Sequence, residues 1–151
     1  MDPRVEKLKT PKECETFMVN ARAAGREDLA QEARRRAIEL RANAYGANST
    51  VEQQCLEAVY AYEEVLSAKQ GRRVSASRTW QMIKRHGILK AVDRVVSRPD
   101  DAAGYTALIE MGLEKFAFEA VVVRNPDEFS FEAVEQSKVR VARWKTSTKS
   151  E

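Results

Sequence analysis

Two four-residue motifs, Thr10-Pro11-Lys12-Glu13 and Ser49-Thr50-Val51-Glu52, have the form of a helix capping box. In such a box the hydroxyl and the glutamate, three residues apart, satisfy backbone N–H groups that the first helical turn leaves without partners. Each of the helical patterns in the first half of the chain ends at a glycine, at Gly25, Gly46 or Gly71, and glycine is a common C-terminal cap. These signals predict helices over residues 11–24, from 27 to 45, and from about 51 to 70.

Residues that typically begin or end helices also recur through the second half of the chain. Ser75 or Ser77 is predicted to cap a helix that breaks at Gly87. Four further helical segments are predicted, with these bounds: 88–97, closed by Pro99; a short helix from Asp100 or Asp101 to Met111; 113–123; and a last helix capped by Ser130.

Only the segment "LEKFAFEAVVV", Leu113 to Val123, is ambiguous. Phe116, Phe118 and Ala120 alternate as in a strand, but the apolar residues also fit a helical face. Because no partner strand is evident elsewhere, a lone strand here would leave its backbone hydrogen bonds unmade. We therefore predict a helix that stops before Asn125-Pro126.

The predicted fold class is all-α: a compact bundle of about six to eight short-to-medium helices joined by short loops, with a helix-turn-helix-like element. A chain of 151 residues has the usual size of one domain. We expect a single helical domain over residues 1–144 and a flexible C-terminal tail over residues 145–151.

Cysteine usage and hydropathy indicate the compartment. Cys14 and Cys55 are about 40 residues apart, each inside a helical pattern, and they are expected to be reduced and buried. The sequence contains no apolar run long enough for a membrane span and no signal-peptide core at its start. We expect a cytoplasmic protein without cofactors.

Signals of catalysis are weak. The single histidine, His86, lies at a predicted helix end without an evident orienting partner, so a helix-capping role is favoured over a catalytic one. No cysteine or histidine cluster has metal-ligand spacing. Glu110, Glu114 and Glu119 could form a carboxylate site in a metal-dependent nuclease, although a solvated helix face is the favoured interpretation. No catalytic or metal-binding residue is assigned.

The strongest functional signal is a basic island, defined as Ala68–Pro99. It holds nine of the 26 lysines and arginines and one of the 23 acids, Asp93. The rest of the chain therefore holds 26 − 9 = 17 basic and 23 − 1 = 22 acidic residues. A chain of formal net charge +3 thus divides into an island of about +8 and a remainder of about −5.

The island's periodicity gives its two predicted helices an apolar side and a basic side. At about 100° per residue, Trp80 and Ile83 share one sector of the first helix, opposite a polar stripe. The candidate nucleic-acid-binding residues lie in three places: the lead-in before the first helix, the polar side of that helix, and the outer side of the second helix. They are Arg72, Arg73, Arg78, Gln81, Lys84, Arg85, Lys90 and Arg94.

These residue types suit a polyanion. Lysine and arginine neutralise phosphates and release counterions, and arginine and glutamine can read base edges. Two helices joined at Gly87 partly resemble a helix-turn-helix, but Asp93 occupies a position where the second helix should be apolar. We therefore expect a nucleic-acid-binding domain, with DNA favoured, that uses a basic helix-Gly-helix element.

Two alternatives remain open from the sequence. A helical adaptor could bind an acidic protein partner through the island or self-associate. Residues 100–135 hold nine acids and two bases and could instead pair with the island within the molecule. A second basic cluster, Arg34-Arg35-Arg36 with Arg41, is diluted by Glu39 and by an expected pair between Glu32 and Arg36.

Overall fold

The computed structural model describes residues 1–98 and 102–149, and the part of the chain that it describes is all-helical with short loops, which confirms the predicted fold class. Nine α-helices follow one another: α1 Pro3–Glu6, α2 Pro11–Ala23, α3 Glu27–Tyr45, α4 Thr50–Gln70, α5 Ser77–His86, α6 Ile88–Val96, α7 Ala102–Glu110, α8 Phe118–Arg124 and α9 Phe131–Lys149. Single 3₁₀ turns occur at Glu114–Phe116 and Pro126–Glu128.

The chain forms two compact units, Met1–Ala47 and Asn48–Glu151. The single domain over 1–144 and the flexible tail over 145–151 stay predictions, and α9 continues as a helix to Lys149. No helix of the described residues combines the length and the apolarity needed to cross a membrane.

Both capping boxes are present. The Thr10 hydroxyl accepts from the Glu13 backbone N–H at 3.1 Å, and the Ser49 hydroxyl accepts from the Glu52 N–H at 3.1 Å. The glutamates reach back to the N–H groups of Lys9 and Asn48, one residue before each cap. These bonds satisfy donors that helix starts leave unpaired, so the local sequence is sufficient to begin α2 and α4.

In the first unit, α2 packs against α3 across a core of small and apolar side chains: Met18, Ala21, Leu29, Ala30 and Ala33. The chain reverses at Gly25, whose φ of +73° favours glycine. The Arg26 N–H donates to the Ala21 carbonyl at 2.8 Å and closes the end of α2. Short side chains at the contact allow the two helices to approach closely.

In the second unit, α4 lies at the centre and contacts α6, α7 and α8. One core cluster contains Cys55, Ala58, Val92, Val96, Val121, Val122, Ala133 and Val134. A second cluster holds α5 against α4 and contains Val59, Ala76, Ile83 and Ala91. Cys14 and Cys55 are free and buried, and burial raises the pKa of the Cys55 thiol to about 12, so this sulfur is a packing group.

The ambiguous segment 113–123 is helical, but it is not one helix. A 3₁₀ turn at Glu114–Phe116 is followed by Ala117 in an extended conformation, with φ −57° and ψ 142°, and only then does α8 begin. Leu113, Phe116 and Ala117 are all buried. Because of this break, Leu113, Phe116 and Ala117 reach the core together with Val121 and Val122 of α8. The segment therefore fits both the helical and the alternating pattern of apolar residues.

Asp93 departs from the apolar pattern of α6 because it binds the start of α9. Its carboxylate accepts from the Ser130 backbone N–H at 2.6 Å and from the Ser130 hydroxyl at 3.0 Å. Ser130 in turn accepts from the Ala133 N–H at 3.1 Å, which confirms it as the cap of α9. A negative charge at a helix N-terminus is favourable.

We expect Asp93→Ala to lower the free energy of unfolding by about 1–2 kcal/mol, since it removes a charge-assisted link to a helix cap. Urea unfolding followed by circular dichroism measures this loss. Arg94→Ala, an exposed neighbour on the same helix, is the matched control and should stay within about 0.5 kcal/mol of the unsubstituted protein. Equal effects of the two substitutions would contradict the proposed link.

Candidate nucleic-acid interface

The helices α5 and α6 meet at Gly87, which is both the last cap of α5 and the first cap of α6. Its N–H donates to the Ile83 carbonyl at 2.8 Å. Gly87 has φ +90° and ψ 165°, a backbone conformation that side chains with a Cβ rarely adopt. Since a Cβ at Gly87 would meet no atom within 4 Å, the backbone angle rather than space requires glycine.

The apolar sides of both helices face the core as predicted. Ile83 in α5 and Ala91, Val92 and Val96 in α6 are buried. Trp80 is partly buried and lies 5.1 Å from the Tyr60 ring, measured between centroids. The opposite sides of the two helices are therefore left to water.

All eight predicted binding residues are exposed: Arg72, Arg73, Arg78, Gln81, Lys84, Arg85, Lys90 and Arg94. Within residues 1–98 and 102–149, Arg73 is the one cation of this set with an acidic partner, since its guanidinium lies 2.9 Å from the Glu64 carboxylate. The other six cations of the set form no ion pair with an acid of those residues.

The acidic stretch does not cover these side chains within the described residues. Its ion pairs include Glu119 with Arg140 at 3.1 Å and Glu135 with Lys138 at 3.6 Å. Neither base belongs to the island. Asp100 and Asp101, which were also predicted as caps of α7, lie outside the described residues.

A buried carboxylate fixes the start of α5. One oxygen of Glu63, on α4, accepts from the Trp80 indole N–H at 2.7 Å, the Ala76 backbone N–H at 2.8 Å and the Ser75 hydroxyl at 3.1 Å. The side chain is 6% exposed, so these donors replace water around the charge. We call Glu63 with its three donors the Glu63 latch.

The prediction that Ser75 or Ser77 caps α5 is wrong. The N-cap is Ala76, and no side chain caps the helix. The Ser75 hydroxyl donates to Glu63 instead of accepting from an N–H of the first turn of α5. Sequence reasoning missed Glu63, although it interrupts the apolar series Leu56, Val59 and Leu66 on α4.

The lead-in before α5 is tied to α4 at two further points. The Ser67 hydroxyl accepts from the Val74 N–H at 2.9 Å and donates to the Val74 carbonyl at 3.3 Å. Arg73 binds Glu64 one turn earlier on α4. Arg72 and Arg73 are thus presented by an ordered segment next to α5.

His86 lies between the cations of the two helices. Partial removal from water lowers the pKa of its imidazole, and the positive charges of Arg94, Arg85 and Lys90 lower this pKa further. These charges act on the same place, the junction at Gly87.

The helix-Gly-helix element differs from a standard helix-turn-helix. Gly87 alone joins α5 to α6, whereas that motif uses a turn of about three to four residues. Asp93, at the position expected to be apolar, binds the start of α9. The junction at Gly87 therefore does not have the geometry of a helix-turn-helix.

The second basic cluster, on α3, is largely engaged within its own unit. Arg36 donates to the Leu8 carbonyl at 3.2 Å and lies 3.5 Å from Glu39, and Arg41 lies 2.9 Å from Glu15. The expected pair between Glu32 and Arg36 is wrong, because Glu32 accepts from the Asp2 backbone N–H and Arg36 turns to Glu39.

The predicted carboxylates do not form a metal site among the described residues, where no group of three or more potential ligands is close enough to hold an ion. Glu110 and Glu114 are exposed, and Glu119 is paired with Arg140. The nuclease hypothesis gains no support from these positions.

A cavity of about 220 Å³ in the second unit is lined in part by the island residues Thr79, Val95 and Arg98, and its aromatic wall includes Tyr62 and Phe118. Its charged lining residues are Arg98 and the paired Arg140 and Glu119. The Arg140 guanidinium also donates to the carbonyls of Val96 and Arg98, at the end of α6. These bonds make the arginine a structural link between α6, α8 and α9.

Comparison of the chain with protein families, with curated proteins and with solved structures finds no match. The chemistry of the basic island is therefore the basis for assigning a function.

Proposed function

We propose that this protein binds nucleic acid, with DNA favoured, through the exposed side of α5, the start of α6 and the basic lead-in. Arg72, Arg73, Lys84 and Lys90 contact phosphates. Arg78, Gln81 and Arg85 occupy the α5 stripe opposite Trp80 and contact base edges or further phosphates. Arg94 extends the surface along α6.

The observation that carries the proposal is the set of six exposed cations without an acidic partner in the described chain. Protein surfaces usually interleave charges of both signs, and an unbalanced surface attracts polyanions. Each neutralised phosphate releases condensed counterions, so a set of about six contacts gives micromolar or tighter binding at low salt.

The test is a titration of fluorescently labelled duplex DNA, single-stranded DNA and duplex RNA with the purified protein, from 50 to 200 mM salt. We expect binding to at least one of them, with affinity falling about 10³-fold or more over this range, because six or more phosphate contacts give such a slope. Absence of binding to all three at 50 mM salt would rule the proposal out. The relative affinities for the three forms test the preference for DNA.

A second candidate function is self-association or binding of a protein partner. It is favoured by two apolar side chains on α9, Phe131 and Val139, which are 82% and 56% exposed and eight residues apart. Sedimentation velocity at increasing concentration tests it, and a monomer that does not change with concentration counts against self-association.

A further inference from the structure

We infer that Ser75 is a phosphorylation site for an arginine-directed serine kinase, and that its phosphorylation reduces binding by the basic island. The assignment of Ser75 as the acceptor is supported by the sequence and the geometry around this residue. The second half rests on the proposed nucleic-acid binding.

The sequence around Ser75 has the charge pattern that such kinases select. Arg72 and Arg73 precede the hydroxyl by three and two residues, with Val74 between them and Ser75. Kinases use such flanking charges, read by acidic groups beside the active site, to choose their substrates. No other serine or threonine of the sequence has arginine at both of these positions.

The side chains of Arg72, Arg73 and Ser75 are exposed, whereas the backbone of this segment is bound to α4 at Val74 and Ala76. Ser75 is exposed and lies between α4 and α5, outside any helix. Arg72 is exposed and has no acidic partner in the described chain. Arg73 is 44% exposed and leaves a single ion pair, with Glu64, when it turns to a kinase. Both recognition arginines and Ser75 thus lie on the surface, and the Ser75 hydroxyl must leave the Glu63 carboxylate before it can accept a phosphoryl group.

The chemical step is a phosphoryl transfer from magnesium ATP. The Ser75 Oγ forms a bond to the γ-phosphorus, and the bond from that phosphorus to the oxygen bridging the β- and γ-phosphates breaks. ADP leaves, and the hydroxyl proton passes to the catalytic aspartate of the kinase and then to solvent.

The product is incompatible with the Glu63 latch. The Ser75 hydroxyl donates to the Glu63 carboxylate at 3.1 Å, and the phosphorylated oxygen no longer carries a proton to donate. The phosphoryl group adds a charge of about −1.5 to −2 at pH 7, which the buried carboxylate repels. The side chain of Ser75 must therefore leave Glu63, while Ala76 and Trp80 remain its donors.

The displaced phosphoryl group reduces the island's charge wherever it comes to rest. Facing solvent, it lowers the net charge of the island from about +8 to about +6. Paired with a neighbouring arginine, it also occupies a proposed phosphate contact. Loss of about two contacts lowers affinity by about tenfold or more near 100 mM salt.

The test of the acceptor site treats the full chain with magnesium ATP and, as probe, the catalytic subunit of cyclic-AMP-dependent protein kinase. We expect one phosphate per chain, located at Ser75 by fragmentation mass spectrometry. Ser75→Ala should lose it, Ser77→Ala should keep it, and Arg72→Ala with Arg73→Ala should slow it about tenfold or more. Phosphate on another residue, or no phosphate under conditions that modify a peptide with the same Arg-Arg-Val-Ser sequence, would overturn the assignment.

The regulatory half has its own measurements. Phosphorylated protein should bind the preferred nucleic acid about tenfold or more weakly at 100 mM salt, and it should melt at a lower temperature because the latch has lost one donor. If the unmodified protein binds nucleic acid and the phosphorylated form binds equally well, the regulatory inference is wrong. If the unmodified protein binds none, the proposed function fails, whereas mass spectrometry still decides the acceptor site.

Discussion

Replacing Arg78 and Arg85 together by alanine is expected to weaken binding to duplex DNA by about tenfold to a hundredfold at 100 mM salt. Both side chains are exposed on the same side of α5 and have no acidic partner in the described residues. If each contacts a phosphate, the logarithmic slope of affinity against salt should also fall by about two. Contacts to bases would instead lower affinity with a smaller change in slope and reduce the preference for one sequence.

The matched control removes two positive charges from another part of the chain. Lys7 and Lys12 are exposed and lie outside the island. Lys7→Ala with Lys12→Ala gives the same change in net charge and should leave affinity within about threefold. If both double substitutions weaken binding equally, then net charge alone controls the affinity and α5 is not the contact surface.

Substitution of Glu63 by alanine is expected to have the largest effect on stability. It removes the acceptor of three hydrogen bonds, and one of the donors, the Ala76 N–H, is buried. Bonds to a charged group contribute about 1.5–3 kcal/mol each when buried, but water can reach exposed Ser75 after the substitution. We therefore expect a loss of about 2–3 kcal/mol in the free energy of unfolding.

Urea unfolding at pH 7 measures this loss. Glu63→Gln keeps a carbonyl acceptor without the charge and should lose about half as much. Glu110→Ala removes an exposed glutamate from the same unit and should change stability by less than about 0.5 kcal/mol. A Glu63→Ala protein as stable as the Glu110→Ala control would show that the latch contributes nothing to the fold.

The positions of the helices were largely predictable, because their ends are encoded locally. Capping boxes begin α2 and α4, and left-handed glycines follow α3 and α4, at Gly46 and Gly71. The four-residue helix α1, capped by Asp2, was not predicted, since so short a segment has no periodicity. The break at Ala117 was also missed because both helical and alternating patterns fit its surroundings.

The exposed cations of the island were predictable from amphipathic spacing, whereas the contacts that position them were not. Glu63 meets donors 12 to 17 residues further along the chain, and Asp93 meets Ser130, 37 residues away. Local periodicity reports which side of a helix is apolar, but it does not identify the distant partner of a polar residue on that side. The available signal, at both Glu63 and Asp93, was a charged residue at a position where the helical periodicity predicts an apolar one.

The bonds that tie the lead-in to α4 have a consequence for the thermodynamics of association. Arg72 and Arg73 belong to a segment whose backbone is already held by Ser67 and Glu63. A basic arm that orders only on contact loses conformational entropy and gives a large negative heat-capacity change, because it folds as it binds. Here that ordering is completed when the protein folds, so calorimetry of complex formation should show the small heat-capacity change of a preformed surface.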